Sequence, residues 1–393
     1  MKKRVWQLSL VSFIIAAFTG VLYRYGMFYP LPEGISFANI RHAHSHLMFF
    51  NWVSPPIMAW MAVAGAGRQS REGLRPYAYC LYTMLALGFL SFPFFLMYGY
   101  QSVAIGTSQL PLAAIISGLV MLTWYWFALL WMRQKGERDS NLGFLFFDAA
   151  LLALVISSLG AWGVSVFQFT DIDNPLVSSA LTHFFLGVFT EGWVVLGILG
   201  LLWQKAERPN LPFKTGWLWM PLLFGSLLIF PFSLNPSVIT PAMHITANVG
   251  LVLIAISLAL NVWLMKRENL LKGAVMKTVG VLLLLKILFQ LLAVLPIGIW
   301  PGEHGLRVLY LHLLLLGIAS LVLLEVYHAR RDKWPKAIFT VSVVIVLITL
   351  TFISGYWPAS LMVPSVYHWV LAAAVVPGLA AVWLFLTTLR RKW

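Results

Sequence analysis

The length of its apolar runs constrains this chain more than any other feature. A bilayer core about 30 Å thick takes roughly 20 residues of helix to cross. Twelve stretches of the 393-residue chain meet that requirement: 5–23, 42–65, 77–98, 110–132, 144–169, 177–203, 215–232, 238–264, 274–299, 305–328, 337–355 and 362–388. The seventh and eleventh are the shortest. In lipid a backbone must satisfy its own N–H and C=O groups, so such runs are helical. The expected fold is an all-α polytopic membrane protein of about twelve transmembrane helices. Charged residues make up 10% of the chain and apolar ones 60%, against roughly 25% and 45–50% in soluble domains. Soluble globular, disordered, collagen-like and disulfide-scaffold classes are thereby excluded. The single cysteine, Cys80, lies in an apolar run and cannot form an internal disulfide. The first run follows Met1-Lys-Lys-Arg4 as a signal peptide would, but it lacks a clear small-residue cleavage site and is expected to be retained.

The net charge of +14 has a topological origin. With the N-terminus placed inside, the inner segments carry Lys2, Lys3, Arg4; Arg68, Arg71, Arg75; Arg133, Lys135, Arg138; Lys205, Arg208, Lys214; Lys266, Arg267, Lys272, Lys277; Arg330, Arg331, Lys333, Lys336; and Arg390, Arg391, Lys392. The outer segments carry only Arg24, Arg41 and Arg307, and Lys286 lies within a span. Every second loop is basic, which is the positive-inside rule. Both termini are therefore expected in the cytoplasm, with the chain in a bacterial-type cell membrane and lipid as its first partner. The charge needs no nucleic acid to explain it. No short repeat is visible, and the longest outer loop, around Tyr29–Arg41, is too short for a folded module. One membrane domain is expected over residues 1–393.

That topology arranges the nine histidines. His42, His44 and His46 open the second span, and His183 is about seven residues into the sixth. His244 is about six residues into the eighth, and His304 precedes the tenth. His312 is about eight residues into the tenth and His368 about seven into the twelfth. At 1.5 Å per residue the deeper ones sit about 9–12 Å below the outer edge. Only His328 falls at the cytoplasmic end. Ionisable side chains within spans are costly and face protein interiors or cavities. One such His often does no more than hydrogen-bond across helices. Several imidazoles at one depth are what a metal or haem iron requires. His42 and His46 are four apart and share a helix face, while His44 points elsewhere.

Three segments resemble a known family. Arg41-His-Ala-His-Ser-His-Leu-Met-Phe-Phe-Asn-Trp-Val-Ser-Pro55 resembles span 2 of the haem-copper oxidase catalytic subunit, where a His near the outer end is an axial ligand of the low-spin haem. Its HxH opening also resembles the NnrS-type membrane proteins, a related twelve-span group that binds haem and copper. Leu181-Thr-His-Phe-Phe-Leu-Gly-Val-Phe-Thr-Glu-Gly-Trp193 has a His at the depth of an oxidase copper ligand. Tyr310-Leu-His-Leu-Leu-Leu-Leu-Gly-Ile-Ala-Ser320 has one where the oxidases place haem ligands. The resemblance implies an oxidase-like bundle with its termini inside. It departs from the family in span 7, which lacks the adjacent His pair that completes the copper site, and in span 10, which has His312 without a second His two residues away. His244 and His368 are additional. The implied protein is a divergent member with one or two b-type haems, or one haem with a rearranged second metal such as copper.

By this resemblance, His44 or His46 would pair with His312 as axial haem ligands, and no CxxCH motif is present for covalent attachment. His183, His244, His368 and His42 are the candidate ligands of a second metal. Arg41 and Arg307 are candidate anchors for haem propionates, or else cations that snorkel to the interface. Among the other buried charges, Asp148, Glu191, Lys286 and Glu325, a chain from the cytoplasm would suit proton delivery, with Glu191 as its terminal relay and Lys286 in the path. The alternative is a self-satisfying ion pair, Lys286–Glu191 or Lys286–Glu325. The implied chemistry is binding or reduction of O2 or NO, as in cytochrome oxidase or nitric oxide reductase. Electrons would come from quinol or cytochrome c, and a second subunit is allowed for. Two other functions compete: a non-enzymatic haem or copper carrier, sensor or NO-protection protein, and a haem-free transporter. A transporter is less favoured because Pro55, Pro56 and Pro93 in the first half are not clearly matched by Pro231 and Pro296 in the second.

Overall fold

The structure is a computed structural model that describes residues 1–66, 73–134, 141–168, 170, 174–206, 209, 211–295, 303–328, 333–363 and 365–390. Of the inner-loop cations, Arg68, Arg71, Lys135, Arg138, Arg208, Arg330, Arg331, Arg391 and Lys392 lie outside the described residues. Among the described residues the regular elements are helices, apart from one β-hairpin in which β1 (Val103–Ile105) pairs antiparallel with β2 (Ser108–Leu110). Gly106, at φ +60°, makes its turn.

Eleven helices are long and apolar enough to span a membrane among the described residues. They are α1 (Lys2–Tyr25), α2 (Phe37–Gly65), α3 (Arg75–Tyr98), α4 (Leu112–Arg133), α5 (Leu142–Phe167), α6 (Pro175–Trp203), then α8 (Pro241–Arg267), α9 (Ala274–Val294), α10 (His304–Tyr327), α11 (Lys333–Thr351) and α12 (Val366–Leu389). The expected seventh span is a shorter apolar helix, α7 (Gly216–Leu228), with Pro221 inside it. A 3-10 turn over Phe230–Ser233 ends it, since Pro231 supplies no N–H to continue an α-helix. The chain is thus an all-α, multi-pass membrane protein.

Local chemistry sets several helix starts. Ser36, Asn174 and Thr240 cap α2, α6 and α8 by accepting the N–H of Asn39, Val177 and Met243 at 3.2, 3.3 and 3.2 Å. Pro175 and Pro241 then occupy first-turn positions where a missing N–H costs nothing.

Three helices change gauge midway. Met48–Val53 in α2, Val188–Val194 in α6 and Leu313–Ala319 in α10 are π-helical, and every residue in them is buried. A π turn takes in one residue more than an α turn and rotates the remainder of the helix about its axis. Serines tie two of these segments at their ends. Ser54 Oγ donates to Phe49 O and Ser320 Oγ to Leu315 O, both at 2.7 Å. All three segments lie on the inner side of a histidine in the same helix.

The chain divides into two compact units. Unit one holds Met1–Arg138, Tyr327–Thr349 and Pro358–Trp393. There α1 packs on α2 and α12, and α3 on α2 and α4. Its inner end is an aromatic cluster in which Trp6 stacks on Tyr327 at 4.7 Å and donates to His328 Nε2 at 3.1 Å. Unit two holds Asp139–Val326 and Leu350–Trp357. There α5 packs on α6, and α8 on α7 and α9. Helices α7 and α8 touch at Gly225 and Gly250, where a Cβ on either would lie 2.7 or 2.9 Å from the other's carbonyl oxygen. Small residues permit this approach where lipid offers no hydrophobic drive to association. Outer and inner ends follow the orientation expected from the charge asymmetry of the loops.

Candidate functional site

In unit one the histidines of α2 point two ways, as their spacing requires. His44 Nδ1 donates to Ala16 O of α1 at 2.7 Å. His46 turns to the other side, stacking on Phe95 at 3.8 Å and meeting Phe50 edge-on at 5.0 Å. Its Nδ1 donates to His42 O at 2.8 Å, and its Nε2 lies 3.5 Å from the Tyr100 hydroxyl. His42 packs against the same Tyr100 at 4.8 Å. Tyr100 lies beyond the end of α3, and burial pushes its hydroxyl pKa up to about 12. Arg41, on the same helix, is exposed.

Unit two assembles charge. Lys286 of α9 and Glu191 of the α6 π segment form an ion pair at 2.6 Å, with exposures of 0% and 1%. This is the first of the two pairings anticipated from the sequence. Tyr310 of α10 completes the group by donating to Glu191 Oε1 at 2.7 Å and accepting from Lys286 Nζ at 2.5 Å. Gln290 Nε2 donates to the same hydroxyl at 3.2 Å. Each charge therefore has a counter-charge and a hydroxyl, which a buried pair requires.

An outer pocket of about 430 Å3 lies above this cluster, lined by Ser179, His183, Ser233, Leu234, Asn235, Pro236, Glu303 and Arg307. Arg307 NH1 donates to His183 Nε2 at 3.4 Å and to Ser233 O at 3.5 Å. An arginine can only donate, so His183 carries its proton on Nδ1, a buried atom with no hydrogen-bond partner. In a regular α-helix Glu191, eight residues after His183, would lie about 80° round from it. The extra residue of the π turn draws Glu191 back toward the face that meets α10.

The sequence-predicted residues separate accordingly. His42, His44, His46, Arg41 and His368 fall in unit one, and His183, His244, His312, Arg307, Glu191 and Lys286 in unit two. The structure brings together His42 with His46, His183 with Arg307, and Glu191 with Lys286. His44, His46, His183 and His312 sit seven to nine residues into their helices, whereas His244 and His368 come earlier in theirs. Helix α8 starts at Pro241 and α12 at Val366, which leaves these two within the first turn. His244 Nδ1 accepts from Asn248 Nδ2 at 3.2 Å and the ring packs on Phe232, while His368 is exposed against Phe28 at 4.4 Å. No three His, Cys, Asp or Glu side chains converge as a metal site among the described residues.

Sequence reasoning did not single out Tyr310, Gln290, Ser179 or Asn235. Helical spacing carries the signal for two of them. Tyr310 is three residues after Arg307, and Gln290 is four after Lys286.

His312 Nδ1 donates to Val308 O at 2.7 Å. His44, His46 and His312 thus share one state, with the Nδ1 proton held by a backbone carbonyl and the lone pair on Nε2. Haem-ligating histidines need this tautomer, so the donor chemistry fits axial ligation. The pocket fits less of the group. Six of its eight lining residues are polar, which suits a propionate and not the face of a porphyrin. The donor set of a copper ion is not assembled among the described residues. No protein-family model matches the chain, and no curated protein matches it in sequence.

Proposed function

We propose that this chain is a multi-pass membrane protein that binds b-type haem non-covalently, for electron transfer and for the binding or reduction of O2 or NO. One observation carries the proposal: His44, His46 and His312, each seven to nine residues into an outer-starting helix, all have Nδ1 bonded to a backbone carbonyl and Nε2 as the lone-pair nitrogen. Any one of His44, His46 and His312 could ligate an iron through Nε2. Arg307, half-buried in the outer pocket, would take a propionate, while the exposed Arg41 suits the interface better. With a single histidine ligand, a bound haem would supply an iron able to exchange single electrons and to bind a diatomic ligand.

The test is a dithionite-reduced minus oxidised spectrum of purified protein, with iron and copper counted per chain. A Soret band with iron and CO binding is expected. One iron without turnover would identify a carrier or sensor, as in the NnrS-type proteins. No Soret band would overturn the proposal and favour the second candidate, a haem-free transporter. The buried Glu191–Lys286 pair beneath an outer polar pocket is the observation that favours the transporter.

A further inference from the structure

The polar groups around the Glu191–Lys286 pair lead to one side only. Along α10, which runs from the outer end inward, Glu303, Arg307 and Tyr310 succeed one another at one-turn intervals on one face. The first two line the outer pocket, and the third bonds both members of the pair. Helix α9 runs the opposite way, so Gln290 is one turn outward of Lys286. On α6 His183 lines the pocket and Glu191 lies further in.

The inner side is apolar along α6 and α9, and along α10 beyond His312. Below Glu191, Val195–Trp203 reads Val-Leu-Gly-Ile-Leu-Gly-Leu-Leu-Trp and is buried throughout. Below Lys286, residues 279–285 read Val-Gly-Val-Leu-Leu-Leu-Leu. Below Tyr310, His312 turns its Nδ1 to Val308 O, and the buried π segment beyond it, Leu313–Ala319, has no polar side chain. Each of these three stretches is two turns or nearly two turns long and has no side chain to pass a proton.

A third observation is independent of these two. His183 Nδ1, a donor, and Gln290 Oε1, an acceptor, are buried without hydrogen-bond partners. Buried polar atoms are nearly always satisfied by protein or by internal water. Both of these stand on the outward side of the pair.

We propose that the Glu191–Lys286 pair is a proton-binding site in exchange with the outer aqueous phase through the His183 pocket, and closed toward the cytoplasm. Loading is a proton transfer without redox change. The Tyr310 hydroxyl gives its proton to Glu191 Oε1 and takes another from the Gln290 side. Glu191 becomes a neutral carboxylic acid, Lys286 remains an ammonium, and the group gains one positive charge. Release reverses each step. The charged and titratable groups facing Glu191 are Lys286 from α9 and Tyr310 from α10, with Arg307, Glu303 and His183 further out. This reverses the direction anticipated from the sequence, in which Asp148 and Glu325 feed Glu191 from the cytoplasm. It holds with or without haem, so a spectrum lacking a Soret band leaves it standing.

The test uses the full-length chain with Cys80→Ala and Gln290→Cys, in right-side-out and inside-out membrane vesicles. A small membrane-impermeant methanethiosulfonate cation is added to each. Labelling from the outer side is expected to be at least ten-fold faster than from the inner side. Adding Ser179→Trp, which fills the pocket, should slow it at least five-fold. Equal or faster labelling from the inner side overturns the proposal, as does a rate indifferent to Ser179→Trp. If Gln290→Cys does not reach the membrane, infrared difference spectra of the unmodified protein replace it. An acid step on the outer side should then produce a protonated-carboxyl signal that Glu191→Gln lacks. A Glu191-dependent signal only for the inner step, or for neither, overturns the proposal.

Discussion

Helices α2 and α6 start alike and end in different chemistry. Each has an oxygen-bearing N-cap, a histidine about two turns in, and a buried π segment below it. In unit one His46 is closed over by the rings of Phe95 and Phe50. In unit two His183 opens on a polar pocket and takes a hydrogen bond from Arg307. The difference comes from what other segments bring: Phe95 and Tyr100 from α3 and the loop after it, Arg307 and Tyr310 from α10. The spanning helix supplies a half-buried histidine about two turns in, and its neighbours decide whether that histidine meets aromatic rings or polar groups.

The sharpest way to break this comparison is at the charged end of unit two. Lys286→Met strands Glu191 as an unpaired buried carboxylate, and breaking a buried pair from one side costs about 3–5 kcal/mol. Lys286→Met with Glu191→Leu removes both charges and should recover most of that loss. Thermal unfolding in detergent measures both. Equal destabilisation in the single and double variants would show that the pair is not coupled as described. No single substitution around His46 should cost as much, because no ion pair is broken there.

Arg307→Gln should come next, measured as haem retained through purification. A half-buried guanidinium beside His183 holds a carboxylate better than an exposed one, so the loss should exceed that of Arg41→Gln. Unchanged retention when both are replaced would remove arginine anchoring altogether.

How much of this was legible in the sequence depends on the range of the interaction. Helix-length apolar runs report on lipid, which acts on each segment by itself, so among the described residues eleven of the twelve expected spans form helices long enough to cross a membrane and the seventh forms a shorter one. Helix starts were less legible. Pro241 and Val366 begin their helices later than hydropathy suggests, which leaves His244 and His368 earlier in theirs than expected. The π segments left no mark, because Leu313–Ala319 is apolar whichever hydrogen-bond register it adopts. Tyr310 was missed because an aromatic in an apolar run reads as packing until the partner helix supplies Lys286.

The π segments test a smaller difference. Ser54→Ala and Ser320→Ala each remove a side-chain bond to the carbonyl five residues back. A membrane hydrogen bond of this kind is worth about 0.6 kcal/mol, so both variants should stay folded with small, similar losses. A markedly larger loss at Ser54 would show that the π turn of α2 carries strain that the one in α10 does not.

The smallest effect at neutral pH belongs to Tyr100→Phe, which removes only the long contact to His46 and should leave stability at pH 7 almost unchanged. Its signature is alkaline. The Tyr100 hydroxyl ionises at about 12 in the folded chain, against an ordinary value of 10.0, because burial disfavours the phenolate. A group whose folded pKa is raised contributes its stability fully below the unfolded value and loses it as pH climbs to the folded one. The wild type should therefore lose stability between about pH 10 and pH 12 in a limb that Tyr100→Phe lacks. Parallel alkaline limbs in the two proteins would mean that Tyr100 is wet, and that the ring cover over His46 in unit one is looser than the contrast with unit two needs.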